Sequence, residues 1–368
     1  MKRRKFIHHV SIAAVSLAIP TSAYAIYRSE RYMPIQTTYT RNPSFPAVPG
    51  MEDYPGTPRD QKELYMNEEH IFLPKTRDLL KWQTSANPYK AEKKNNTRRL
   101  QVTAHNTLDE LPDNAITWLG HASFLIHLNG IRLLIDPVLT SSMFLKRQSK
   151  LPFNTEVFKN IDYILISHNH RDHCDKECIQ MLSKQNPEAT WLCGLGLDTL
   201  LLNEWTGSKR IQAAGWYQQY PLNNPLLEVA FLPTRHWSRR GLGDTNASLW
   251  GAFMIQSKSK KIYFGGDSGY GSHVKKVGEL FGVVDYYIAG IGAFAPRWFM
   301  SPSHMHPEEV AKSSNELNPT YLLPMHYGTF DLSDEPLLEP ARLIQELKKK
   351  NAFSATLLLP AVGEIIRL

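Results

Sequence analysis

The stretch Tyr163-Ile164-Leu165-Ile166 is apolar throughout and breaks directly into Ser167-His168-Asn169-His170-Arg171-Asp172-His173-Cys174-Asp175. A short apolar run closed by polar residues reads as a buried strand, too brief for a helix. Three histidines and two aspartates in the nine residues that follow place coordinating side chains at the edge of a sheet. Alternate residues on a turn leaving a strand can project to one side, and the next pair can swing to a neighbouring point. One cation can therefore take His168 and His170, and a second can take Asp172 and His173. Imidazole and carboxylate suit zinc, with iron or manganese compatible by ligand type.

Two cations need more ligands than one loop supplies, so suitable residues are expected at other strand ends. "FLPTRHW" places His236 after a strand-like run, "IYFGGDSGY" places Asp267 after another, and "YLLPMHYGTF" places His326 after a third. Other strand patterns are "ITWLG", "ASFLIHL" and "IRLLID", the last two split by the hairpin signal Asn129-Gly130. Further runs lie at Thr190-Cys193, Leu227-Pro233, Ser248-Ile255, Tyr286-Ala289 and Thr356-Leu359. Helical patterns intervene at Lys176-Ser183, Leu197-Leu202, Val274-Leu280, Pro307-Asn315 and Leu337-Lys349. A strand meander followed by strand and helix alternation predicts two packed sheets with helices outside, an α/β sandwich.

Three segments follow from these patterns. Residues 1–25 start with Lys2-Arg3-Arg4-Lys5, continue apolar from Val10 to Ile19, and end in small residues around Tyr24. That is the form of a cleavable export signal, either of twin-arginine type or an ordinary secretory signal that begins with two arginines; an uncleaved anchor is the weaker reading, because the apolar run is about half of the roughly 20 residues a membrane span needs. The expected location is the periplasm or a membrane surface. Residues 26–110 are rich in Pro, Asn and charge and read as an extended arm with short helices at Gln61-Leu64 and Thr76-Trp82. Residues 111–368 carry the strand and helix alternation together with every coordinating residue, and are expected to form the domain that holds the cations.

The chain of 368 residues carries a formal charge of +7, and beyond residue 25 the balance is 38 basic against 35 acidic side chains. A balance so even gives no reason to expect nucleic acid as a partner. Cys174, Cys178 and Cys193 are too few for a disulfide scaffold.

"SHNHRDHCD", with His236, Asp267 and His326 in order behind it, resembles the metallo-β-lactamase superfamily. The tracts "TWLGHASFLI", "IDPV", "HWSRR", "WGAFMI", "FGGDSGYG", "IGAFAPRWFM", "HPEEV" and "MHYGTF" narrow the resemblance to the group containing N-acylphosphatidylethanolamine-hydrolysing phospholipase D. The resemblance implies a four-layer αβ/βα sandwich with a binuclear zinc site at one edge of the sheets. It puts His168, His170 and His236 on one zinc, Asp172, His173 and His326 on the other, and Asp267 between them. It also places His121 of "GHAS" and Asp136 of "LLIDPV" on strands behind the ligands, where each can hold the far N–H of a bound imidazole or serve structure alone.

The same resemblance makes Asp172, Asp267 and His304 the residues nearest the chemistry. His304 would stand near the substrate phosphate, unless it and His306 only cap the helix from Pro307. Arg297, Trp298 and Phe299 would line a lipid-facing groove. The implied reaction is phospholipase D-type cleavage of N-acylphosphatidylethanolamine or a related glycerophospholipid, with peripheral membrane contact and a homodimer as expected associations. A lactonase or small-ester hydrolase of the same fold is the alternative enzyme, and a metal-free binding protein is the alternative of another class. The glycines of "GGDSGYG" lack the Lys-Ser/Thr ending of a nucleotide loop and are expected to let the backbone approach the metals.

Overall fold

The computed structural model describes residues 37–69, 72, 75–142 and 145–368; the proposed export signal lies outside them. Sixteen strands are present among the described residues. Two short ones in the arm, β1 (Thr38–Thr40) and β2 (Thr57–Arg59), pair with each other. The next six are β3 (Ala115–Gly120), β4 (Ser123–Leu128), β5 (Ile131–Ile135), β6 (Tyr163–Ile166), β7 (Thr190–Gly194) and β8 (Ile211–Ala214). Then follow β9 (Gln218–Gln219), β10 (Glu228–Leu232), β11 (Ala252–Gln256), β12 (Lys261–Phe264), β13 (Tyr286–Gly290), β14 (Tyr321–Met325), β15 (Thr356–Leu357) and β16 (Ile365–Arg367).

They form two seven-stranded sheets, β16-β3-β4-β5-β6-β7-β8 and β15-β14-β13-β12-β11-β10-β9. Each sheet has an antiparallel half and a parallel half, with the change at β5/β6 in the first and β12/β13 in the second. The two halves of the chain thus repeat one construction that leaves no trace as a sequence repeat.

Continuous apolar runs arise because both faces of each sheet are covered. In β4, Phe124, Ile126 and Leu128 belong to the core between the sheets, and Leu125 packs in the outer layer. β6 behaves likewise: Tyr163 and Leu165 point inward, while Ile164 and Ile166 join Cys178, Ile179 and Leu182 of the helix Lys176–Gln185. Phe124 of one sheet meets Phe264 of the other edge-on at 6.1 Å between ring centres. Side chains of this size contribute about 1.5–3 kcal/mol each when fully buried. The α/β sandwich predicted from the patterning is the architecture observed.

Several local expectations change. Gln61-Leu64 is a turn, because the Asp60 carboxylate accepts from the amides of Lys62 and Leu64 at 2.8 and 2.9 Å and so replaces helical bonding. Thr76–Thr84 is helical as expected, and Lys90–Asn95 adds a second arm helix. The stretch from Leu197 winds as a π-helix over Asp198–Leu202 before Asn203–Thr206. The arm is sewn to the body by the Val48 amide on the Tyr217 carbonyl, 2.8 Å, and by the bridge between Val102 and Val362.

Candidate metal centre

The end of β6 is pinned by a buried carboxylate. Asp136, just past β5, accepts from the Ser167 amide at 2.7 Å and the Ser167 hydroxyl at 2.6 Å. Beyond that clamp the chain turns and presents its histidines. His170 Nδ1 stands 2.9 Å from His168 Nε2 and 3.1 Å from His236 Nε2, which arrives from the segment after β10. Three imidazole nitrogens therefore converge on one point.

A second convergence lies beside the first. Asp267 Oδ2, carried past β12, is 3.2 Å from His173 Nε2 and 3.1 Å from His326 Nε2. Asp172 Oδ2 lies 3.6 and 3.4 Å from the same two nitrogens. Asp267 Oδ2 also approaches His236 Nε2 at 3.8 Å, so one carboxylate touches both clusters. All seven predicted donors meet, four from the first sheet and three from the second.

These atoms fit a divalent cation better than they fit one another. His173 Nε2, His326 Nε2 and Asp267 Oδ1 are buried without a hydrogen-bond partner, although donors and acceptors crowd around them. Buried polar atoms are normally paired, and an orphaned set converging on one point is the signature of an ion site. Imidazole and carboxylate are the donors a divalent cation takes, and these are the residues able to hold one.

Electrostatics agree with the geometry. Burial pushes His168 and His236 well below the usual histidine range and His170 down to about 4, leaving neutral imidazoles with a lone pair to give. Burial opposes charge in the second cluster as well, but there the neighbouring histidines, His173 foremost, hold Asp172 and Asp267 well below the ordinary carboxylate range.

The supports differ from expectation in placement. His121 and Asp136 sit just beyond strand ends, each in the left-handed backbone region at φ 55° and 40°. Each nevertheless holds a donor: His121 Nε2 donates to Asp172 Oδ2 at 2.9 Å, and His173 Nδ1 donates to Asp136 Oδ2 at 2.7 Å. His236 Nδ1 donates to the Ser303 carbonyl at 3.0 Å. His326 also has positive φ, 69°, and backbone strain of this kind clusters at functional sites.

Two arginines were invisible to the sequence reading. Arg147 donates to the carbonyls of Leu119 and Val138, both at 2.6 Å, two residues from His121 and Asp136 respectively. Arg240 donates to the carbonyls of Asn169, at 3.2 Å, and Cys174, bracketing the histidine loop. Their partners are backbone oxygens distant in sequence, which no side-chain motif announces; for Arg240 only the quoted tract "HWSRR" pointed to the segment.

His304 Nδ1 stands 3.8 Å from Asp267 Oδ2, partly exposed at the rim, and burial takes it down to about 4. The capping reading holds for His306 alone, which accepts from the Glu308 amide and closes a capping box with Glu309. Arg297 donates to the His304 carbonyl at 2.9 Å and to Glu309 at 2.7 Å, so it braces the His304 loop. Trp298 is 47% exposed, and Phe299 stacks on Trp82 of the arm. Cys174 is buried in the outer core, and Asp175 caps the helix from Lys176. The glycines of "GGDSGYG" serve close backbone packing: a Cβ at Gly266 would meet the Gly251 carbonyl at 2.7 Å, and one at Gly269 the Pro302 carbonyl at 2.5 Å.

Residues 131–327 match the model of the beta-lactamase superfamily domain. The chain belongs to the metallo-β-lactamase superfamily. Within that superfamily it is 32% identical over 244 residues to N-acyl-phosphatidylethanolamine-hydrolyzing phospholipase D 1 of Caenorhabditis elegans, covering 63% of this chain and 68% of the worm protein. It is 31% identical over 259 residues to the mitochondrial enzyme of that name in Saccharomyces cerevisiae, covering 67% of this chain but only 54% of the yeast protein. A metallo hydrolase from Ignicoccus hospitalis shares the fold at a TM-score of 0.54 and 20% identity, over 68% of this chain and 97% of its own. The chain is a metal-dependent hydrolase of the metallo-β-lactamase fold.

Proposed function

We propose that this hydrolase is a binuclear zinc phosphodiesterase of the phospholipase D type, acting on N-acylphosphatidylethanolamine or a related glycerophospholipid. The observation that carries the binuclear reading is Asp267 Oδ2, within 3.1–3.8 Å of donors from both clusters. His168, His170 and His236 would hold one zinc, and Asp172, His173 and His326 the other, with Asp267 shared. The names of the worm and yeast relatives support the lipid.

A zinc pair supplies Lewis-acid polarisation of a phosphoryl oxygen and lowers the pKa of a water towards neutrality. The residues supply position. Asp136, Ser303 and His121 fix the orientation of His173, His236 and Asp172, so that the donors meet the substrate already arranged. His304, neutral at neutral pH, keeps an N–H at the rim to donate to the departing head-group oxygen. One water is consumed: its oxygen ends on phosphorus, the bond from phosphorus to the head-group oxygen breaks, and one proton ends on the released alcohol. Residues 1–25 are read as delivering this activity outside the cytoplasm.

The test is elemental analysis of the purified chain with product analysis in ¹⁸O-labelled water. Two zinc per chain and label in phosphatidic acid but not in N-acylethanolamine is the expected result, with Asp267→Asn abolishing both products. Turnover of lactones without turnover of the phospholipid overturns it.

A further inference from the structure

The arm helix Thr76–Thr84 has no buried residue, and it lies at the rim of the metal centre. Trp82 stacks on Phe299 at 5.2 Å, and Lys81 lies over the Trp298 ring at 4.4 Å. Downstream, Lys93 bonds to Asp331 and to the Ser333 carbonyl, beside a small cavity that His121 and His326 line. The arm therefore runs between two loops bordering the donors, one leading to His304 and one following His326.

The outward face of this region is apolar. Among the described residues seven large hydrophobic side chains are exposed, and three of them, Leu79, Leu80 and Trp298, stand here. Charge is concentrated in the same place. Residues 75–99 hold eight Lys and Arg against two Asp and Glu, a net +6, whereas residues 26–74 and 100–368 together hold 30 against 33. The even balance of the chain hides this cluster. Exposed leucine and tryptophan among lysines and arginines is the composition of a segment that lies in the headgroup layer of an anionic bilayer, while a nucleic-acid groove has no use for the leucines.

We propose that the metal-bearing edge docks on an anionic lipid surface through Leu79, Leu80 and Trp298, with the cations of residues 75–99 contacting the headgroups. The site would then face the membrane that holds its substrate, so the inference deepens the lipid reading given above and rests on it for its purpose. Among the described residues no helix is long and apolar enough to cross a membrane.

Flotation of the full chain with phosphatidylcholine vesicles, with and without phosphatidylglycerol, tests this. Binding is expected to the anionic vesicles alone, weaker by about fivefold for each of Lys90→Gln and Lys94→Gln, and weaker by about tenfold or more in Leu80→Ser/Trp298→Ser. Lys90→Gln and Lys94→Gln should keep wild-type hydrolysis of a water-soluble chromogenic phosphodiester. Absence of wild-type flotation overturns the proposal, as does undiminished flotation of the variants. Conversion of a wild-type dimer to monomer by Leu80→Ser/Trp298→Ser, with lipid binding unchanged, also overturns it and assigns the patch to a second copy. Flotation without phospholipid turnover removes the substrate reading while leaving the docking surface in place.

Discussion

Asp136 accepts the Nδ1–H of His173 at 2.7 Å, and neither side chain reaches solvent. That bond fixes the ring so that Nε2 faces Asp267. Asp136→Asn removes the charge that holds the proton, and metal affinity should fall by about 10–100-fold, the usual consequence of losing such a partner. Competition against a chelator of known affinity measures it; unchanged affinity would show that Asp136 serves the Ser167 turn alone.

His304 Nδ1 stands 3.8 Å from the shared carboxylate, farther than His173 and His326 at 3.2 and 3.1 Å. His304→Ala should retain the full metal complement and lose about 10²–10⁴-fold in turnover of a phosphodiester with an alkoxide leaving group. The loss should be much smaller for a nitrophenol leaving group, which needs no such help. Loss of one metal equivalent would make His304 a ligand instead.

Among the described residues Arg147 has no carboxylate in ion-pairing range; it satisfies three carbonyls, those of Leu119, Val138 and Ser149. Arg147→Met leaves them without their donor in a mostly buried place, and stability should fall by about 2 kcal/mol or more. Denaturant unfolding reads this, and Arg147→Lys, which cannot span both Leu119 and Val138, should recover little of it.

His273 is buried against Ser268, and burial takes its pKa down to about 4 from 6.5. A depressed histidine is neutral in the folded chain and charged in the unfolded chain below 6.5. Its contribution to stability is therefore complete above pH 6.5 and lost as pH falls towards about 4. The loss amounts to about 3 kcal/mol from this group. In His273→Gln the difference from wild type should shrink across that window, as followed by unfolding at pH 7 and pH 4.5.

Much of the centre was legible because strand chemistry and ligand chemistry use different residue types. Tyr163 to Ile166 are apolar because both faces of β6 are covered, so the polar break at Ser167 marks the sheet edge sharply. His236, Asp267 and His326 stand out for the same reason. Short edge strands were not legible: β8, β9 and β16 have two to four residues each, too few for a period to emerge. Gln61-Leu64 misled because its helical composition is overruled by one side chain, Asp60.

The division of donors between the sheets bears on how the protein comes to life. The loop after β6 can offer four donors by itself, but the first cluster lacks His236 until β10 is in place and the second lacks His326 until β14 is. Tight cation capture is therefore expected only once the two sheets are packed together. Metal uptake followed in time during refolding would serve as a clock for that docking, and a chain stalled with its halves apart would reveal itself by leaving the ion in solution.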